Sequence, residues 1–418
     1  MCCSWPLLYL FVVLTFDVGV AQPSSRDRGP KGVSVFAKLT TTTHRTAQHT
    51  TQRHNTTQRT THNDTTQLTQ LTQLNTFNTR LEQIKHKIMT TFDTTQTYND
   101  LPVVHIHHPS GSHLMVYLFG AHIAQWSLKN AQEVLFMSKS AVFDNSTPIR
   151  GGIPLVFPQF GGGALPSHGF ARRSVWTVHS MQENTLVLSF SDNKSTRDLW
   201  EGNKFTLLYS ITLESNAITT SFQVENQGET PFDFQALLHT YFHLREITTT
   251  KLYGLEGQSF TDKLSEDITV PCVQPNEQPL VFDKETDYIF FKAPSQVTLV
   301  GLALSQKNDK EMEKNEKEKD ASCFASNAQD GTVTIDIQVN NNGSIDTHDI
   351  VVWNPWSEKS IRMGDFGDDE FHTMCCVEPG CVSKWETLTP ASKWTITQTL
   401  VVVDGGGGGG DGVGETKL

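Results

Sequence analysis

The sequence has no long apolar run, no excess of basic residues, no cysteine framework and no sustained helical periodicity, and each absence closes off a class of protein. No apolar stretch reaches the roughly 18 residues of a stable membrane helix, so no stable membrane span is expected. With 33 Lys+Arg against 45 Asp+Glu the formal charge is -12, which repels polyanions unless a local basic patch overrides the field. Nucleic acid is therefore not an expected partner, and a phosphorylated ligand would have to be gripped by a few well-placed arginines. Of the 7 cysteines, Cys2 and Cys3 fall in the apolar N-terminal segment, and Cys272, Cys323, Cys375, Cys376 and Cys381 remain, an odd set. Their spacing lacks the paired C-x-x-C of a zinc site, so buried thiols are expected.

What is present divides the 418 residues into unequal parts. The hydrophobic share of 37%, even with 29 glycines added, sits at the lower edge of the globular range, so part of the chain is expected to stay out of any core. Residues 1–21 hold an apolar core from Trp5 to Phe16 followed by Gly19 and Ala21, the layout of a signal peptide cleaved after Ala21, although a basic start is missing. Residues 22–99 are Thr-, Gln- and His-rich and cannot bury enough apolar area to offset their ordering entropy, so a disordered or targeting segment is expected. Residues 305–320, SQKNDKEMEKNEKEKD, read as a charged surface insertion. The tail, 405–418, reads as Gly-rich and flexible.

Between these parts, residues 100–404 read almost entirely as short strands. VVHIHHPSGSHLMVYLFGAHIAQWSL is strand, Pro-Ser-Gly turn, strand, glycine break, strand; NTLVLSF, KFTLLYSITLES, AITTSFQVEN, QVTLVGLAL, TVTIDIQV and KWTITQTLVVV keep the same rhythm. The only hint of helix is a turn or two around Leu81, Ile84 and Ile88. The expected fold class is all-β, a large antiparallel sandwich of two sheets packed face to face.

Four constellations interrupt the apolar alternation. Arg150 stands beside two glycines in PIRGGIPLVFPQFG, where its fork of donors suits a carboxylate or phosphate. SHGFAR places His168 and Arg172 four residues apart. His239 lies inside the apolar and aromatic run LLHTYF, where a lone histidine is ordinarily a hydrogen-bonded core residue. Glu378 ends a β run before a Pro-Gly turn in CCVEPG, and a glutamate in apolar company either bridges to a base or has its proton affinity raised.

These motifs, with VVWNPWSEKSIRMGDF, occur in order from Pro148 to Gly380, and together they resemble the hexose-6-phosphate mutarotases (glucose-6-phosphate 1-epimerases) of the galactose-mutarotase-like superfamily. The resemblance covers the chain from about Leu101 to Val403 and implies a large β-sandwich, the architecture also read from the strands. It implies that His239 and Glu378 are catalytic, that Arg150 and Arg172 contact phosphate or sugar with His168 lining the same cleft, and that a sugar-binding aspartate falls on Asp262 in SFTDKL. Many relatives carry glutamine where this chain has Ser167, which removes or replaces one hydrogen bond.

The implied activity is interconversion of the α and β anomers of a hexose 6-phosphate, most simply glucose 6-phosphate. Ring opening of the hemiacetal removes the O1 proton while O5 receives one, so a base (Glu378) and an acid (His239), expected on opposite sides of a sugar-sized hollow, suffice. No metal or organic cofactor is expected, the partner is a small sugar phosphate, and a monomer is expected. Two other activities fit part of the pattern: an aldose 1-epimerase for unphosphorylated hexose, which has no use for the arginine pair, and a non-catalytic carbohydrate-binding sandwich, which has no use for an acid and base together. A metal protein using His105, His107, His108 and His113 of HIHHPSGSH is a further alternative, because alternation puts His105 and His107 on one strand face, although the segment also reads as an ordinary hairpin. The N-terminus points to the secretory pathway, onward to a plastid if the acid-poor hydroxyl-rich segment is a second address, or to a stalk if the sequons at Asn55 and Asn63 are glycosylated. Without a functional signal the expected location is the cytoplasm.

Overall fold

Strict alternation shapes the longest strands. In Phe205–Leu213 every second side chain from Phe205 onward is buried, and Lys393–Val403 buries Trp394, Ile396, Gln398, Leu400 and Val402. Such a period of two turns one face of a strand to the core and the other outward. The computed structural model describes residues 89–129, 131–303, 331–341 and 344–403, all within the unit Leu74–Leu418. The expected signal peptide, residues 22–88, the insertion at 305–320 and the Gly-rich tail lie outside the described residues.

The strands are β1 (Thr91–Asp93), β2 (Thr97–Tyr98), β3 (Leu101–His107), β4 (His113–Tyr117), β5 (His122–Ser127), β6 (Leu155–Val156), β7 (Thr177–Gln182) and β8 (Thr185–Ser191). They continue as β9 (Phe205–Leu213), β10 (Ala217–Asn226), β11 (Phe232–Leu238), β12 (Tyr241–His243), β13 (Lys251–Tyr253), β14 (Ser259–Asp262), β15 (Cys272–Val273) and β16 (Leu280–Val281). The last are β17 (Thr286–Phe290), β18 (Gln296–Leu302), β19 (Gly331–Asn341), β20 (Ser344–Asp346), β21 (Asp349–Asn354), β22 (Met374–Leu388) and β23 (Lys393–Val403). Among the described residues two α-helices, α1 (Lys194–Leu199) and α2 (Trp356–Ser360), interrupt them.

The strands form a 10-stranded sheet in the order β16-β13-β18-β19-β23-β10-β9-β8-β7, with β20 on β19. An 8-stranded sheet runs β15-β14-β17-β21-β22-β11-β6, with β12 on β22. The pairings between these named strands are antiparallel, in line with the expected antiparallel sandwich. A third, 5-stranded sheet of β1-β3-β4-β5 with β2 on β3 corrects the expectation of two sheets. Side chains from all three sheets, among them Val104, Leu114, Phe222, Trp394, Phe242 and Val377, enter one apolar core. Each large side chain so buried contributes roughly 1.5–3 kcal/mol.

Two local expectations also change. Pairing of Thr91–Asp93 with His105–His107 brings β1 into the 5-stranded sheet, so strand structure starts before the expected boundary at residue 100. Pro379-Gly380 is not a turn: β22 continues through it, Ile350 lying opposite Pro379 and both Asp349 and Leu237 opposite Gly380.

Candidate active site

Glu378 lies on β22 of the 8-stranded sheet, and His239 lies between β11 and β12, both of which pair with β22. Glu378 sits mid-strand in β22, opposite Val351 of β21. His239 occupies the two-residue break between β11 and β12. Thr240 makes that break: its buried hydroxyl donates to Gln398 Oε1 at 3.2 Å and accepts from Gln398 Nε2 at 3.0 Å, tying it to β23 of the other sheet. His239 N donates to Pro154 O at 3.0 Å. The result places His239 Nδ1 3.2 Å from Glu378 Oε1, both residues buried. Nδ1 and Glu378 Oε2 have no aligned hydrogen-bond partner, so the polar capacity of the pair is unspent. The acid and base expected on opposite sides of a hollow are therefore side-by-side neighbours.

Arg150 is brought to the same place but is already engaged. Its Nε and Nη2 donate to the two carboxylate oxygens of Asp365 at 3.2 Å each, and Nη1 donates to Tyr241 Oη at 3.0 Å. The Tyr241 ring stacks on His239 with centroids 4.7 Å apart and planes 6° apart. Asp365, Arg150 and Tyr241 thus form a chain that orients the imidazole. Gly152 explains the double glycine: at φ +61 its Cβ would lie 2.1 Å from Ile123 O, so only glycine fits.

The SHGFAR loop is pinned by Phe157, whose carbonyl accepts from Phe170 N at 3.0 Å and Ala171 N at 3.2 Å. A Cβ on Gly169, at φ +73, would stand 2.0 Å from that oxygen. The pinned loop sets the His168 ring edge-on to His239 at 5.8 Å. Gly161 N donates to His168 Nδ1 at 3.3 Å, which assigns the His168 proton to Nε2. Arg172 Nη2 donates to Ser167 O at 2.9 Å, while its buried Nε has no partner.

Asp262 does not join this group. Its Oδ1 accepts from Leu264 N at 2.9 Å in a local turn, and alternation puts it on the face of Phe260, a core residue. Thr261 faces the other way, opposite Ile289, which packs with Val156, Leu237 and Val351 on the side that carries Glu378. Lys263 follows Thr261 on that side: its Nζ lies 3.3 Å from Asp287 Oδ1 and 5.0 Å from the Phe160 ring centroid.

Residues 102–400 match the aldose 1-epimerase family. The chain belongs to that family. A protein of Cenchrus ciliaris under the provisional name glucose-6-phosphate 1-epimerase is 31% identical over 291 residues, 67% of this chain and 78% of its own. An Escherichia coli (strain K12) protein under the same provisional name is 28% identical over 314 residues, 73% of this chain and 91% of its own. Among solved structures, a Salmonella typhimurium protein provisionally described as a mutarotase superposes with a TM-score of 0.59 at 25% identity, covering 75% of this chain and 93% of that one.

Electrostatics in this aldose 1-epimerase family member separate the two central groups. Burial, and then the Asp287 charge, hold the Glu378 carboxyl well above the ordinary carboxylate range, against the pull of Lys263 and Arg172. Burial, followed by His168, Arg172 and Arg150, pushes His239 well below the ordinary imidazole value. His168 is pushed down to about 3, first by burial and then by Arg172, Lys263 and Arg150. Burial also lowers Arg172 to about 10. A carboxyl with high proton affinity beside a poorly basic imidazole shares one proton as a net neutral pair, in a setting where cations predominate.

Sequence reasoning missed Tyr241, Asp365, Asp287, Lys263 and Cys376. Tyr241 stood in the quoted LLHTYF motif and Asp365 in the quoted SIRMGDF run, so the signal was present but carried no role. Cys376 was set aside for its spacing. Its Sγ lies within 4.8 Å of ligand atoms of His239 and Glu378, an arrangement that C-x-x-C arithmetic cannot detect.

Proposed function

We propose that the protein interconverts the α and β anomers of a hexose 6-phosphate, with glucose 6-phosphate as the substrate and His239 and Glu378 as the catalytic pair. The observation that carries this is the 3.2 Å contact of two buried, otherwise unspent titratable groups. O1 and O5 of a pyranose are both bonded to C1, so adjacent groups, not opposed ones, can serve them together. Glu378 as carboxylate takes the O1 proton and His239 delivers one to O5; the C1–O5 bond opens, rotation about C1–C2 turns the aldehyde, and reversal of both transfers closes the other anomer. Each transfer of this kind contributes typically about 10²- to 10⁴-fold. Protons balance within the pair, and the enzyme returns to its starting state.

Arg172 supports the phosphorylated substrate. Its buried Nε is an unpartnered donor, and a half-buried cation without a full complement of acceptors favours an anionic ligand. Arg150 acts behind it, since Asp365 and Tyr241 take its donors. The provisional names of the Cenchrus ciliaris and Escherichia coli relatives support the same substrate.

Magnetisation-exchange NMR on glucose 6-phosphate tests this. Wild type is expected to exchange anomers faster than buffer, and Glu378→Gln and His239→Asn to fall to near the buffer rate. Exchange on free glucose as fast as on the phosphate would overturn the phosphosugar assignment, and no exchange on either would overturn catalysis.

A further inference from the structure

We propose that His105, His107 and His113 form a binding site for a divalent transition-metal ion of the zinc class, on the 5-stranded sheet and independent of the His239–Glu378 centre. The hairpin builds it. His105 and His107 share a face of β3 by alternation, and His113 of β4 stands directly opposite His107. The connection is short and bonded: His108 N donates to Ser112 O at 2.8 Å and Gly111 N to His108 O at 2.9 Å. The three rings stack, with centroids 4.6 Å apart for His107 and His113 and 5.2 Å for His105 and His113.

One nitrogen from each ring lies within 4.8 Å of the others, and His105 Nδ1 is 2.9 Å from His113 Nε2. Two imidazoles on one tetrahedral zinc, with Zn–N of roughly 2.0–2.1 Å, hold their nitrogens about 3.3 Å apart. Small ring rotations therefore convert the observed cluster into a ligand set. His105 and His113 are half-buried and His107 is exposed, so an ion reaches them from solvent. The pair β1–β3 puts Asp93 directly opposite His105, where its carboxylate or a water can complete four-coordination. Three imidazoles select zinc, copper or nickel over magnesium or calcium.

Titration calorimetry of the chelator-treated full chain with zinc chloride tests the site. The chain has 16 histidines, so the measure is the difference between variants. His105→Gln, His107→Gln and His113→Gln are each expected to weaken one zinc equivalent by at least about tenfold, the lower end of what even an outer-shell partner contributes. Exposed His179→Gln and active-site Cys376→Ser are expected to leave that equivalent unchanged. Cobalt(II) should give the intense visible band of a tetrahedral site in wild type and lose it in His107→Gln. Zinc should raise the Tm of wild type but not of His107→Gln, whose zinc-free Tm matches wild type. Unchanged zinc binding in all three histidine variants, or its loss in Cys376→Ser instead, would overturn the proposal.

Discussion

Glu378 is held at a cost to the fold. Its carboxyl binds a proton more tightly in the folded protein than in the unfolded chain, because burial and Asp287 disfavour the charge. A group raised in this way stabilises the fold at pH below its ordinary value of 4.5 and loses that contribution as pH rises toward the raised folded value. Glu378→Gln removes the penalty along with the base. Its Tm is expected to exceed that of wild type by a margin that widens from pH 5 to pH 9, while anomer exchange falls about 10²-fold or more; a margin that narrows with pH would refute this. The two arginines should separate in the opposite sense. Arg172→Gln is expected to raise KM for glucose 6-phosphate about tenfold with little change in Tm. Arg150→Gln removes charge-assisted bonds to Asp365 and Tyr241 and should cost about 2 kcal/mol in urea unfolding. The convergence of His239, Glu378, His168 and Arg172 was legible because each stands in a compact motif. Asp365 was not, since its bond to Arg150 spans 215 residues and no local pattern records a contact at that range.

Strand alternation both helped and misled. It gave β8, β9, β10, β18, β19 and β23, whose buried and exposed residues follow the period of two. It also decides between Asp262 and Lys263, but only once the register of β14 against β17 is known. Register is set by pairing between strands distant in sequence, so motif similarity settled on the aspartate while the pleat turns the lysine to the site. Pro379-Gly380 reads as a turn by composition, yet β21 and β11 hold it in a ladder from both sides. The break at His239 has the opposite character, a strand interrupted because Thr240 is caught by Gln398 across the core. Gln398→Leu leaves the Thr240 hydroxyl buried without a partner and should cost about 1–3 kcal/mol. As a positioning change it should lower kcat more than it raises KM. Adding Thr240→Val to Gln398→Leu should restore part of the lost stability, because both polar ends are then gone; strict additivity of the two losses would show that the pair does not couple the sheets.

At the scale of the molecule, composition anticipated a single β-rich core and a net charge that cationic groups must overcome locally; Arg150, Arg172 and Lys263 are the cations whose charge bears on His239 or Glu378. Composition could not reveal the third sheet, since β1 and β2 are only 3 and 2 residues long and lie at the end of a Thr-rich stretch with little apolar signal. Phe92 is the exception: half-buried, it packs on the main core, and its strand covers the edge of β3. An uncovered β3 would expose unpaired backbone groups beside the histidine cluster. Two truncations distinguish the boundary read from composition from the one drawn by pairing. A chain beginning at Met89 retains β1 and β2, whereas one beginning at Asp100 loses both, with the Phe92 contact and Asp93. The shorter chain is expected to unfold at lower urea, by about 1–3 kcal/mol, a figure set by partial burial of one large aromatic side chain and a few ladder bonds. Its zinc affinity should also fall if Asp93 completes the histidine site. Equal urea midpoints for the two chains would mean that pairing of Thr91–Asp93 contributes nothing to the fold and that residue 100 is the functional start of the domain.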